Sequence, residues 1–577
     1  MRRRSWLLAA AAAAEAAAGG PAAAQPFERP AQERPELPPF EAPAGERPRI
    51  ELPPLPAPEP ALRGGPRLLV RAFEVEGSTV FGEAELAPLL APFIGREIAT
   101  EDLVEIRDAI TRLYVERGYV NSGAAIPDQD PRDGVIRIRV VEGRLAGIEI
   151  QGARHFRASR LESRVRLGAG TPLDVAKLER ALQLLQQDPR IERLAARLRP
   201  GEAPGDAILE LRVEEARPWR LELLADNYAN PAFGGFQGEV HAADENLVGL
   251  GDSLAATFRG AEGLLDVDAG YELPLTARGT LLLLGGEWSD SKVVEDPFSE
   301  LDIETRYGSV RVGLEQPIYR TPGTRASVGI TGEWRRARTR ICVFEDLLGG
   351  CDAFAFPGSG ADPDDGKTTV SVLRLSQELV RRGLDQVIAA RSLLSIGLPI
   401  LGASDRDIPA SALGVAGLRQ PDGQFVAWLA QLQWVRRFPP WGVEAIARVD
   451  GQVASDTLPN LERFPLGGHL SVRGYRENQV VRDQGVVASL ELRLPLLPLE
   501  GRAGRFQLAP FADFGHAENR MNPTPDPQNL ASVGVGLRWA LGPVEAEIYW
   551  GHRLVHAEGS GDLQDEGVQF RVRARVF

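Results

Sequence analysis

"VEAEIYWGHRLV", residues 544–555, alternates through its first eight positions: Val544, Ala546, Ile548 and Trp550 share one face, and Glu545, Glu547, Tyr549 and Gly551 share the other. Successive side chains of a strand point to opposite sides, so this is a strand with one apolar and one polar face. A soluble sandwich and a membrane barrel both produce that pattern, the first against a core and the second against lipid. Similar segments of about ten residues fill the chain from 217 to 577, with no convincing helix among them. Sixteen can be placed, from 219–229 to 566–577. Connections after even-numbered segments are short, as in "YRTPGT", "FPPWG" and "LGP". Most of those after odd-numbered segments, from the fifth onward, are long. Alternating short turns and long loops are the build of a transmembrane barrel, and an even count returns both ends to one side. On that parity the loops 337–367 and 456–484 are external.

The start of the chain agrees with export. Residues 1–24 read as a signal peptide, with Arg2, Arg3 and Arg4, an apolar run from Trp6 to Ala14, and small residues Ala22–Ala24 at the cleavage site. Residues 25–66 hold a proline-dense stretch, "ELPPLPAPEP" among it, that reads as an extended, semi-rigid linker. No later stretch has the ~18 uncharged apolar residues of a membrane helix, leaving the periplasm, the exterior or an outer-membrane barrel. The net charge of -14 argues against nucleic acid as the main partner. Cys342 and Cys351, the only cysteines, are expected to pair in an oxidising compartment, and two cysteines alone cannot close a zinc site.

Residues 67–144 and 145–216 repeat one unit: strand, helix, helix, strand, strand. The first copy runs "RLLVRAFEVEG", "GEAELAPLLAPF", "TEDLVEIRDAITRLYVERG", "YVNSGAAIP" and "GVIRIRVVEG". In its longer helix Leu103, Ile106, Ile110, Leu113 and Tyr114 make one apolar face; Thr100 is the expected N-cap and Gly118 the stop. Each copy fits a generic two-layer α/β domain, and the order resembles the polypeptide-transport-associated (POTRA) domain.

One external loop is unusual. "RFPLGGHLSVRGYRENQ", residues 463–479, has too few clustered apolar residues to read as a buried strand or an amphipathic helix. With the preceding "LPNLE" it resembles the loop motif of the two-partner secretion transporters, the haemolysin secretion/activation family, at Gly467, Gly468, Val472, Arg473, Gly474 and Tyr475. "PFADFGHAE", 510–518, is similar to that family's companion strand motif at Phe511, Asp513 and Gly515, and "ENLVGLGDSL", 245–254, to a first periplasmic turn. The resemblance implies a mixed fold: two small POTRA-like α/β domains, then a 16-stranded antiparallel transmembrane barrel over 217–577. It also implies that loop 456–484 turns into the barrel, where Arg473 meets Asp513. A planar guanidinium suits a carboxylate, Gly474 permits a sharp turn behind it, and Glu491 is a second acceptor. A barrel of sixteen strands stays wet inside, which predicts an ionic lock rather than apolar packing. A plug helix, frequent in the family, has only 25–34 as a weak candidate here, and Phe577 is out of phase with the outward face of the last segment.

The resemblance further implies an outer-membrane transporter with its POTRA-like domains in the periplasm, a secreted exoprotein client, and lipid and barrel-assembly machinery as partners. Client capture is expected by strand addition, with "YVNSGAAIP" the candidate edge. Assembly of other barrels and a passive pore are alternatives. With no phosphate-binding loop, nucleophile elbow or zinc-helix motif, neither a cofactor, a metal nor an enzymatic reaction is expected.

Overall fold

The computed structural model describes residues 50–52, 67–130, 133–342, 351–353, 355, 359–362, 364–404, 419–439, 441–496, 504–557, 559 and 561–577. The expected signal peptide, most of the proline-rich linker and the candidate plug lie outside the described residues. The chain divides into two compact units, one holding both α/β domains and the other the barrel.

In the first α/β domain three strands pair in the order Ala72–Glu76, Val135–Val141, Gly123–Ala125, under helices α1 (Glu83–Leu90) and α2 (Thr100–Glu116). The 3.6-residue repeat of α2 puts Ile106, Ile110 and Tyr114 into the core against Ile136, Ile138 and Val140. The helix starts one residue earlier than expected. Asp102 accepts the Ala99 amide at 2.8 Å, so Ala99 is the cap residue and Thr100 the first helical one. Glu142 ties this domain together, accepting from the Thr79 and Val80 amides at 2.6 and 3.0 Å and from the Tyr114 hydroxyl at 3.0 Å. Burial alone would raise its pKa, but those hydrogen bonds hold it below the usual carboxylate range. Burial also pushes the Tyr114 hydroxyl up to about 12.

The second domain has helices α3 (Ala158–Ala169) and α4 (Val175–Gln186) on a sheet ordered Ile50–Glu51, Ile191–Pro200, Asp206–Glu215, Arg144–Gln151. Asp174 caps α4 by accepting the Lys177 amide at 3.1 Å. The first strand corrects the linker reading. Ile50–Glu51, between Pro48 and Pro53, pairs parallel with Ala196–Arg197, and Ile50 joins the core. Prolines bar pairing only at their own nitrogens, and Ile50 and Glu51, lying between them, keep their amides.

The barrel is one antiparallel sheet of sixteen long strands: β1 Trp219–Asp226, β2 Gln237–Asp244, β3 Ser253–Ala261, β4 Leu264–Pro274, β5 Leu281–Lys292, β6 Ile303–Thr321, β7 Thr324–Ile341, β8 Lys367–Arg382, β9 Gln386–Leu398, β10 Val426–Phe438, β11 Val443–Ala454, β12 Gln484–Pro495, β13 Arg505–Glu518, β14 Asn529–Leu541, β15 Val544–Arg553 and β16 Val568–Arg575. It closes where β1 pairs with β16 from Glu222↔Arg575 to Asp226↔Arg571. A two-residue strand, Asp352–Ala353, pairs antiparallel with the outer end of β7 at Arg340 and Ile341. Closure in a single sheet excludes a sandwich and leaves no free edge. Large apolar side chains face outward on every side, among them Phe258, Trp288, Val310, Trp428, Leu490 and Trp550, an exposure that only lipid makes stable. The inner face carries buried Asp266, Asp450, Glu491 and Asp513. The last strand stops at Arg575, and Phe577 beyond it is half-exposed, its carbonyl accepting the Leu221 amide at 3.1 Å.

Candidate functional site: the loop inside the barrel

The segment between β11 and β12, residues 455–483, is buried along most of its length. The expectation that it is too polar to form a buried strand fails. Phe464–Leu466 pairs antiparallel with Val480–Arg482, making a hairpin. Its turn brings together apolar residues that are scattered in sequence, and Phe464, Leu466, Val472, Tyr475 and Val480 pack on Leu429, Val487, Ala517 and Leu530 of the wall. The wet-lumen argument fails with it, because the hairpin supplies its own apolar surface and dries this part of the wall.

The tip carries an ionic contact as well. Asp513, from β13, accepts from Arg473 three times: from Nε at 2.8 Å, from Nη2 at 3.0 Å and from the backbone amide at 3.0 Å. Arg473 also donates to Glu491 of β12 and, at 3.1 Å, to the Ser489 hydroxyl. The guanidinium lies 3.9 Å from the centroid of the Phe511 ring and 5.1 Å from that of Tyr549. Burial opposes its charge, but Asp513 and Glu491 more than offset this and raise its pKa. Gly474 follows at φ 88°, where a Cβ would stand 2.7 Å from the Gly551 carbonyl oxygen of β15. Tip and wall therefore touch through two glycines, of which the sequence motifs mark only Gly474.

Of the residues singled out from sequence, Val472, Arg473, Gly474, Tyr475, Glu491, Phe511 and Asp513 meet at this tip. The Tyr475 hydroxyl lies 2.8 Å from the carbonyls of Ala531 and Val555. Gly467 and Gly468 turn the hairpin at φ 104° and 99°, and Gly515 lies against Leu466 at the hairpin's start. Cys342 and Cys351 form a disulfide in the loop after β7, outside this constellation.

Further contacts hold the loop beyond the motif residues named from sequence. Glu462 reaches the wall at β7 and β8, its Oε1 3.2 Å from Arg335 Nη1 and 2.8 Å from Arg374 Nη2. Arg476 makes an ion pair with Asp565 at 2.5 and 2.7 Å and with Glu295 at 2.7 Å. Asp483 accepts the Leu458 and Arg520 amides at 2.9 and 2.8 Å and pairs with Arg463. Their only sequence signal is charge, which loop and lumen residues of such a barrel carry in any case.

A closed outer-membrane barrel with a loop drawn into its lumen and anchored on the wall, preceded by two small α/β domains, is the architecture of an outer-membrane transport protein. Residues 68–143 match the family described as POTRA domain, ShlB-type, and residues 364–539 match the haemolysin secretion/activation protein family ShlB/FhaC/HecB. These matches support a two-partner secretion outer-membrane transporter, with its barrel in the outer membrane and its POTRA domains in the periplasm. Among its relatives is the outer membrane transporter CdiB of Escherichia coli, 24% identical over 87% of this chain and 82% of that protein. The hemolysin transporter protein HpmB of Proteus mirabilis is 22% identical over 86% and 84%. In fold the chain is similar to the solved structure of E. coli CdiB, with a TM-score of 0.62 at 22% identity, covering 90% of this chain and 93% of that one. BamA of Haemophilus ducreyi lacking POTRA domains 1–3 aligns at a TM-score of 0.51 and 15% identity, covering 88% and 100%.

Proposed function

We propose that this transporter carries an unfolded exoprotein from the periplasm to the cell surface, and that the loop 455–483 is the gate it must displace. The observation that supports this reading is the filled lumen: a passive pore gains nothing from a buried hairpin, a triply bonded arginine and a second ionic anchor. Arg473, Gly474, Tyr475, Glu491, Phe511 and Asp513 act as the lock at the tip. Domains 67–144 and 145–216 capture the client in extended form. The short strand Gly123–Ala125 stands at an edge of the first domain's sheet beside α2, with its outer side free to receive another strand among the described residues. In the second domain Ile50–Glu51 already covers the edge of Ile191–Pro200. Outer-membrane lipid surrounds the apolar belt, and the barrel-assembly machinery inserts it. The disulfide pins the external loop after β7.

Deletion of residues 67–215 tests the reading. The barrel should still reach the membrane, as a heat-modifiable band on a denaturing gel, while secretion of the client falls to background. Undiminished secretion would sink the capture role.

A further inference from the structure

The anchor at Glu462 has an asymmetry that its structural role leaves unused. Three members of the cluster belong to the wall: Glu333 and Arg335 on β7, and Arg374 on β8. Glu333 bridges the two guanidiniums, at 2.8 Å from Arg335 Nη2 and 2.8 Å from Arg374 Nε. These three side chains alone carry two cations and one anion, and each arginine keeps a guanidinium edge for the loop. Glu462, from the loop, meets both edges. Its two oxygens lie 2.8 and 3.1 Å from Nη2 and Nη1 of Arg374, and Oε1 also accepts from Arg335. With Glu462 in place the group is neutral and closed, no member more than 7% exposed in its side chain. Any motion that withdraws the loop must take the carboxylate away and leave two guanidiniums with one carboxylate between them on the wall of the open passage.

We propose that Arg335 and Arg374 form a carboxylate-binding site in the lumen, occupied at rest by Glu462 and taken over by acidic side chains of the polypeptide in transit. Exchanging one carboxylate for another conserves the bidentate geometry and the charge, whereas opening without a replacement does not. An arriving Asp or Glu thus lowers the cost of the open state, and the loop and the client compete for one site. A ligand shifts such an equilibrium only through its preference for one state, and here that preference is strict, because the site does not exist for the client while Glu462 occupies it. The apparent affinity for an acidic segment is reduced by the fraction of molecules in which Glu462 is bound. That the incoming carboxylate belongs to an exported client rests on the proposed function; the site itself does not.

The competition has a signature that a merely structural anchor lacks. Full-length protein in detergent micelles is titrated with fluorescein-labelled hexaglutamate, and with hexalysine of equal length, by anisotropy at low salt. Glu462→Gln removes the internal competitor and should tighten hexaglutamate binding at least tenfold, with hexalysine unchanged. Adding Arg374→Gln to that variant should abolish the gain. Unchanged or weaker hexaglutamate binding by E462Q, or an equal gain for hexalysine, would overturn the proposal. E462Q is the decisive variant: its side chain keeps its shape and its folding is read from heat-modifiable mobility, so failure of the double variant to fold leaves the test intact. The peptide measurement needs no client, so its failure is separable from loss of export on deletion of the periplasmic domains.

Discussion

Two ionic anchors of the loop are built with opposite polarity. At the tip the loop supplies the cation, Arg473, and the wall supplies Asp513 and Glu491; at the base the loop supplies the anion, Glu462, and the wall supplies Arg335 and Arg374. The strands involved, β12 and β13 in one case and β7 and β8 in the other, are separate stretches of the wall. A loop held by one sign of charge could be dislodged at every point by a single kind of competing ion. With the signs reversed, an acidic segment competes at the base and a basic one at the tip. The two also differ in support: the tip adds a ring stack, a glycine contact and a tyrosine, and the base adds the Leu461 carbonyl on Arg335 and the Glu462 carbonyl on Gln452.

Removing each charged member in turn should rank the anchors. Arg473→Ala leaves Asp513 without its guanidinium partner, while Glu491 keeps Arg493 at 2.7 Å, and the uncompensated buried charge on Asp513 is worth roughly 3–5 kcal/mol. Glu462→Ala leaves Glu333 still bridging both arginines, so the loss should be smaller, roughly 2–3 kcal/mol. Pore conductance in planar bilayers is the readout: both variants should raise the open fraction, Arg473→Ala more. The anchors share no partner, so the double substitution should come close to the sum. A larger effect from Glu462→Ala would make the base, not the tip, the controlling contact.

The difference between the anchors also marks what the sequence can show. Strand positions, their parity and the short turns are readable because a barrel repeats one physical requirement, apolar out and polar in, sixteen times. The tip is readable because "SVRGY" and "FADFG" are compact stretches that resemble a known pair. At the base, Glu462 lies in the motif stretch "LPNLE", but nothing equivalent flags its partners on the wall. Glu333 and Arg335 are ordinary inward positions of β7, Arg374 is one of many arginines, and a contact that joins residue 462 to residue 335 has no local pattern. The hairpin escapes a sequence reading for a related reason: Phe464 and Leu466 look isolated until Val480 folds back beside them. Ile50–Glu51 escapes it because prolines on both sides outweigh two residues that pair.

Tyr475 sharpens the account of the tip, because its contribution is separable from charge. Its hydroxyl donates to one of two carbonyls, of Ala531 or Val555, and accepts the Val555 amide at 3.2 Å. Tyr475→Phe keeps the ring, buried among Phe464, Val472 and Leu530, and strips those bonds. The cost should be about 1–2 kcal/mol, seen as a modest rise in open fraction without loss of the folded barrel. An effect as large as that of Arg473→Ala would mean that the tyrosine, and not the ion pair, holds the tip in place.

The smallest effect is expected from an ion pair that resembles the anchors in distance but not in surroundings. Arg306 on β6 stands 3.1 Å from Asp290 on β5, yet its side chain is 63% exposed and that of the aspartate 34%. Water and salt screen such a pair, and its ordering costs entropy, so Arg306→Gln should change stability by only about 0–1 kcal/mol and leave conductance and secretion unaltered. The same atoms at the same separation inside the lumen, at Arg473 or Arg374, should cost several times more. If Arg306→Gln opened the pore as the loop substitutions do, loss of any arginine on the barrel would suffice, and burial would not be what distinguishes the two anchors.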